Sequence, residues 1–240
     1  MGFVGGLLWA ISRACITPSV RYELQLRITA GQTGVTIKEI AKSPERFQGL
    51  LLEVLQLLPP VVVRWCFKGF VTKMMNKLPQ GLLLEQTMTD LPLVWLSQLA
   101  VHPLSSMNQL QATLNRETGV IEAWDCLNRT PRFMFQGLMA GILYSGLARV
   151  LWYVLRKYTP IPTDFIPHLI ASWVFYPLLT IRGYQMEAAM FSESQSMLQS
   201  ANTIYTTGGI TGFWAGSMIH CCNQSIPLLV LLTVRRFINV

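Results

Sequence analysis

Thr89 to Ser105 reads TDLPLVWLSQLAVHPLS, and Thr163 to Leu179 reads TDFIPHLIASWVFYPLL. Each stretch opens on Thr-Asp, runs through apolar residues and reaches a proline at the same interval, Asp90 to Pro103 and Asp164 to Pro177. A proline inside an apolar helix removes one backbone hydrogen bond and clashes with the carbonyl four residues earlier, so it kinks the helix. The same kink at the same register twice is the mark of an internal repeat. A third copy stands at the head of the chain, where Gly5 and Pro18 keep that interval.

Downstream of each proline an aromatic-led glycine motif opens another apolar run: FQG at Phe47 to Gly49, FQG at Phe135 to Gly137, and FWAG at Phe213 to Gly216. The repeats divide the single domain 1–240 roughly into 1–82, 83–160 and 161–240. Runs of the ~20 residues needed to cross a bilayer fall at 4–28, 49–75, 91–114, 135–157, 165–190 and 213–237. Six membrane helices in three pairs are predicted. Polar links follow the first, third and fifth, holding short amphipathic patterns such as TGVTIKEIAK (Thr33 to Lys42) and TGVIEAWDCL (Thr118 to Leu127). The links after the second and fourth are brief and contain proline.

Composition agrees with a membrane protein: 51% of the 240 residues are hydrophobic and 13% charged, against about 25% charged in an ordinary soluble domain, and mean hydropathy is +0.38. The formal charge of +7 is scattered at the ends of apolar runs, where it meets anionic headgroups, so no nucleic-acid partner is expected. Trp65, Trp124, Trp152, Tyr153 and Tyr158 fall toward span ends, as in interfacial belts. Cys15, Cys66, Cys126, Cys221 and Cys222 have no metal-ligand spacing and are odd in number, so they read as reduced packing residues. His102, His168 and His220 lie in different spans with no second ligand nearby; His102, just before Pro103, reads as interfacial. No metal site, nucleophile triad, phosphate loop or paired carboxylate is present in the sequence pattern, and no enzyme is expected. The first run lacks a basic n-region and a small-residue cleavage site, so targeting information is expected to be internal.

Three two-helix units, each with a proline near the end of its first helix and a glycine at the start of its second, resemble the mitochondrial carrier family over nearly the whole chain. The resemblance implies an all-α fold of six transmembrane helices, built as three pseudo-threefold two-helix repeats with short matrix helices, in the mitochondrial inner membrane. Parallel repeats of this kind are a general transporter device. Pro18, Pro103 and Pro177 would be the kinks near the matrix ends. Gly49, Gly137 and Gly216, with Gly34 and Gly119 in the TGV starts, would open helices whose backbone N–H groups suit a phosphate. Bound cardiolipin is therefore expected there, although Gln48, Gln136 and Ala215 stand where the family usually has a basic residue.

The resemblance also shows what is missing. Family members place an acid two residues after the kink proline and a base five residues after it, closing a ring of salt bridges. Here those positions hold Val20, Ser105 and Leu179, then Glu23, Asn108 and Arg182. Glu23 and Arg182 are gate remnants able to form at most one pair. The second ring is expected at Gly69, Lys157 and Arg235, none of them acidic. Nine residues before the prolines stand the bulky Trp9, Val94 and His168, while Asp90 and Asp164 read as helix N-terminal caps. Substrate-contact candidates are Gln56, Tyr144, Ser145 and Asn223, all uncharged, whereas a dehydrated anion calls for charge-assisted hydrogen bonds.

Shape retained with gates lost points to a structural or accessory subunit of an inner-membrane complex, a respiratory or ATP synthase assembly, without transport. Its partners would be membrane lipids and other subunits. Two alternatives stand beside it: a working mitochondrial carrier for a neutral or weakly charged metabolite, and an outer-membrane carrier homologue with an insertase-like role.

Overall fold

The computed structural model describes residues 3–29, 31, 36–42, 49–56, 58–75, 82–113, 121, 124–125, 128, 134–158, 165–190 and 194–226. These form α1 (Phe3–Ile28), α2 (Ile37–Lys42), α3 (Leu50–Leu55), α4 (Leu58–Met75), α5 (Leu82–Thr113), α6 (Leu138–Tyr158), α7 (Phe165–Val174), α8 (Tyr176–Met190), α9 (Met197–Gly212) and α10 (217–226), with no strand among the described residues. Gly34, Gly119, Gln48, Asp164 and Arg235 lie outside them.

Among the described residues two stretches are long and apolar enough to cross a membrane, Leu50–Phe67, which runs through the break between α3 and α4, and Leu138–Tyr158. The pair α7 and α8 makes a third if it counts as one span bent by 52°. Helices α1 and α5 have the length, 26 and 32 residues, but carry polar residues on their inner faces. Ser12, Thr17, Arg21, Glu23 and Gln25 are buried on α1, and His102, Ser106, Asn108 and Gln109 on α5. The outside is the reverse. Met139, Leu143, Leu147 and Val150 form an exposed apolar stripe on α6, opposite buried Ala140, Gly141 and Ser145, while Leu58, Val61, Trp65 and Phe70 are exposed on α4. Polar inside and apolar outside is the inversion expected of a helical protein whose solvent is lipid.

The proline-bearing helices α1, α5 and α8 touch one another, and α4 and α6 pack against α5, with α6 also against α8. The bend falls at Phe175, just before Pro177, which has no N–H to give to the Trp173 carbonyl. That carbonyl accepts instead from the indole Nε1 of Trp214 at 3.2 Å. A second device opens the helices that follow Gly49, Gly137 and Gly216, α3, α6 and α10. Gly49, Gly137 and Gly216 have φ of 85°, 78° and 83°, left-handed values that glycine adopts without steric penalty.

Several expectations need correction. The third span begins at Leu82, nine residues earlier than its expected start at 91, because Glu85 to Thr89 continue the helix. Asp90 is thus inside α5 and caps nothing; its carboxylate accepts from Arg149 Nη2 and from the Tyr153 hydroxyl, each at 2.5 Å. Tyr153 is buried by this contact and does not belong to an interfacial belt. His102 is only 1% exposed and is not interfacial. Cys15, Cys66 and Cys222 are free and exposed on helix surfaces, so they pack against no protein core.

Candidate functional site

The interior is organised by residues at fixed distances from the three prolines and three glycines. The side chain five residues after each proline meets the glycine of another repeat. A Cβ built on Gly137 would lie 3.0 Å from Arg182 Cγ, and one on Gly216 would lie 3.4 Å from Glu23 Cγ and 2.8 Å from the Tyr176 hydroxyl. On Gly49 it would collide with Asn108 Oδ1. Only glycine permits these approaches, and the contacts run in cyclic order: the side chain of the first repeat meets the glycine of the third, that of the second meets the glycine of the first, and that of the third meets the glycine of the second.

The residue just before a proline supplies a second recurring contact. His102 donates from Nε2 to the Gln136 carbonyl at 3.1 Å, and Tyr176 donates its hydroxyl proton to the Ala215 carbonyl at 2.9 Å. Gln136 and Ala215 each immediately precede the glycine that opens the next helix of the same repeat. Because a carbonyl can only accept, the proton of neutral His102 is fixed on Nε2 and Nδ1 is left as an acceptor. Arg182 Nη2 donates to it at 3.1 Å. Tyr176 is used alike, accepting from Arg27 Nε at 3.0 Å, with the Arg27 guanidinium 5.0 Å from the ring centroid. In both relays the arginine comes from the following repeat in the cycle.

Glu23 is the centre of the richer of the two knots. Its carboxylate takes Arg27 one helical turn on, His220 Nδ1 at 2.8 Å and Asn223 Nδ2 at 2.9 Å. Asn223 Oδ1 in turn accepts from Ser19 at 2.5 Å, and the Tyr144 hydroxyl lies 3.4 Å from His220 Nε2. Tyr176 packs over the His220 ring with centroids 5.3 Å apart. Helices α1, α6, α8 and α10 thus meet at one buried point. A buried carboxylate survives there because every partner is a donor.

Glu23 and Arg182 do not pair with each other: Arg27 takes the carboxylate, and Arg182 reaches His102. Of the substrate-contact candidates, Tyr144 reaches His220 and Asn223 reaches Glu23, to which His220 is also bonded. Ser145 turns back to the Ile142 carbonyl of its own helix at 3.0 Å, and Gln56 reaches the Leu104 carbonyl at 3.4 Å. Val94 is half-buried on α5, and His168 is exposed on α7. Gly49, Gly137 and Gly216 face Asn108, Arg182 and Glu23. Among the described residues no cluster of His, Cys, Asp and Glu could hold a metal ion.

Sequence reasoning gave no role to Arg27 or Tyr176 and weighed His220 only as a metal ligand. A signal existed: Thr17, His102 and Tyr176 share one register, and all three are buried, at 0%, 1% and 0% exposure. No family model and no curated protein matches this chain.

Proposed function

We propose that this chain is a mitochondrial-carrier-fold protein of the inner membrane that serves as a structural subunit of a larger respiratory or ATP synthase assembly and does not transport. The observation that carries the reading is the pair of ring relays. A carrier gate must open in every cycle, which requires side chains on opposing helices to exchange partners cheaply. Here His102 and Tyr176 are each tied at one end to a backbone carbonyl and at the other to an arginine of the next repeat, with Glu23 held by three donors beside Tyr176. Breaking a buried charged knot of this kind leaves an uncompensated charge, a penalty of about 3–5 kcal/mol. The interior therefore behaves as a brace. Apolar residues exposed along α4 and α6 leave the flanks free for lipid and neighbouring subunits.

Extraction in mild detergent tests the reading: the chain should migrate with a large complex at fixed stoichiometry. Recovery as a free monomer would overturn it. One observation favours a second reading, a carrier for a neutral solute: Tyr144 reaches His220 and Asn223 reaches Glu23, so a hydroxyl and an amide, both uncharged donors, belong to the same cluster. Liposomes containing the folded protein would then exchange neutral solutes, and absence of exchange across a panel rejects that reading.

A further inference from the structure

The first and second repeats can be compared position by position from the glycine that opens each second helix. Sixteen residues past Gly137 stands Tyr153, 8% exposed and donating its hydroxyl to Asp90 on the first helix of its own repeat. Sixteen residues past Gly49 stands Trp65, which is 84% exposed. The sequence accounts for the difference. Asp90 lies thirteen residues before Pro103, and thirteen before Pro18 is Gly5, which has no side chain to hold position 65. Ten and eleven residues past the glycine, Leu147 and Ala148 continue α6, but the first repeat has Pro59 and Pro60 there. These prolines have no N–H to give to the carbonyls of Leu55 and Gln56, and the helix breaks between α3 and α4. Before the break α3 touches α1 and α5. Beyond it α4 follows α5 and, among the described residues, meets α1 at isolated points at most, while α6 packs on α5, α7 and α8.

Helix α4 is thereby left open on most of its circumference. Val63 and Val71 are buried, whereas Val61, Val62, Trp65, Cys66 and Phe70 are exposed, and a Cβ built on Gly69 would meet nothing within 4 Å. Charge decides what fits against it. The helix contains Arg64, Lys68 and Lys73 and no acidic residue, and Lys73 is exposed. A cation on a membrane helix is stabilised by an opposing charge, which lipid tails do not supply. A second copy of this chain would set these cations against their like. A glycine on a membrane helix lets another helix approach closely, and tryptophan is among the side chains that most often anchor a partner. We infer that the uncovered side of α4 docks a transmembrane helix of another subunit, one that carries a carboxylate within its apolar sequence. The inference rests on the structural-subunit reading and adds to it the docking surface and the chemistry of the partner.

The test uses the full chain in its native membrane, with the photoreactive residue p-benzoylphenylalanine in place of Trp65 or, as control, of Leu147 on the exposed stripe of α6. Irradiation precedes extraction. Position 65 should give one protein adduct of fixed mass, its cross-linked peptide an apolar segment containing Asp or Glu, and position 147 should not give that adduct. Lys73→Glu should lower the yield about tenfold, the effect of one lost ion pair, and Lys73→Arg should preserve it. Because capture comes first, the adduct supports the docking site even where detergent then frees the chain. A chain that migrates with a large complex but yields at position 65 only lipid adducts, or adducts of two copies of itself, overturns the docking site and leaves the subunit reading standing. A chain recovered free with no protein adduct overturns both. The same adduct at position 147, a partner segment without an acidic residue, or an unchanged yield in Lys73→Glu also overturns the inference.

Discussion

Trp214 donates its indole N–H to the Trp173 carbonyl, the acceptor that Pro177 leaves without its helical partner. The kink is thus stabilised from a different helix-terminal segment, the turn that opens α10, and bending and repeat closure become one event. Trp214→Phe keeps the ring and removes the donor. It should lower stability by about 1 kcal/mol, in the range for one lost hydrogen bond. Thermal unfolding in detergent, compared with Trp173→Phe, whose backbone carbonyl is untouched, isolates the bond.

The three glycines give a second prediction, because strain and contact can be separated. Gly31 has φ of 85° and a built Cβ there meets only Ala215 Cβ at 3.4 Å, an ordinary contact, whereas Gly216 has φ of 83° and a Cβ there meets Tyr176 and Glu23. Alanine at 31 should cost only left-handed strain, about 1–2 kcal/mol. Alanine at 216 should cost this and displace the Tyr176 hydroxyl from the Ala215 carbonyl as well. The yield of folded protein should fall much further for Gly216→Ala than for Gly31→Ala; equal losses would mean that the close approach contributes nothing.

Glu23 holds a buried knot, so removing its charge strands a cation. Glu23→Gln should destabilise by about 3–5 kcal/mol, and the double variant Glu23→Gln with Arg27→Met should recover part of this loss, since Arg27 no longer needs a counter-charge. Denaturant unfolding of the two single variants and the pair gives the coupling directly. Additive losses would show that the two residues do not act together.

The backbone devices of this fold are legible in the sequence, and the polar interior is less so. Proline and glycine act through their own dihedral angles, so Pro177 and Gly137 announce a bend and a left-handed turn without knowledge of any neighbour. Which donor answers a buried acid is decided in space. Repeat spacing sets Glu23 opposite Arg182, but Arg27 stands one turn away on the same helix and takes the carboxylate first. Asp90 fails as a cap for a related reason. Thr-Asp before an apolar run is the local signature of a helix start, yet α5 already begins at Leu82, and the partners Arg149 and Tyr153 are distant in sequence. His102 shares its register with Thr17 and Tyr176, but its role appears only when the Gln136 carbonyl is brought against it.

Asp90 and Glu23 should respond differently to salt, which distinguishes the outer pair from the inner knot. The side chains of Arg149 and Asp90 remain 28% and 32% exposed, against 12% and 4% for Arg27 and Glu23. An exposed pair is worth about 0–1 kcal/mol and is screened as the Debye length falls to ~3 Å at 1 M salt. Asp90→Asn should therefore destabilise modestly at low salt, with Tyr153→Phe adding the loss of one hydrogen bond to the same carboxylate. Raising the salt should narrow the gap between Asp90→Asn and the wild type while leaving the Glu23→Gln gap nearly unchanged. If both gaps closed in parallel, Glu23 would be open to solvent and the buried brace would not exist in the membrane-extracted protein.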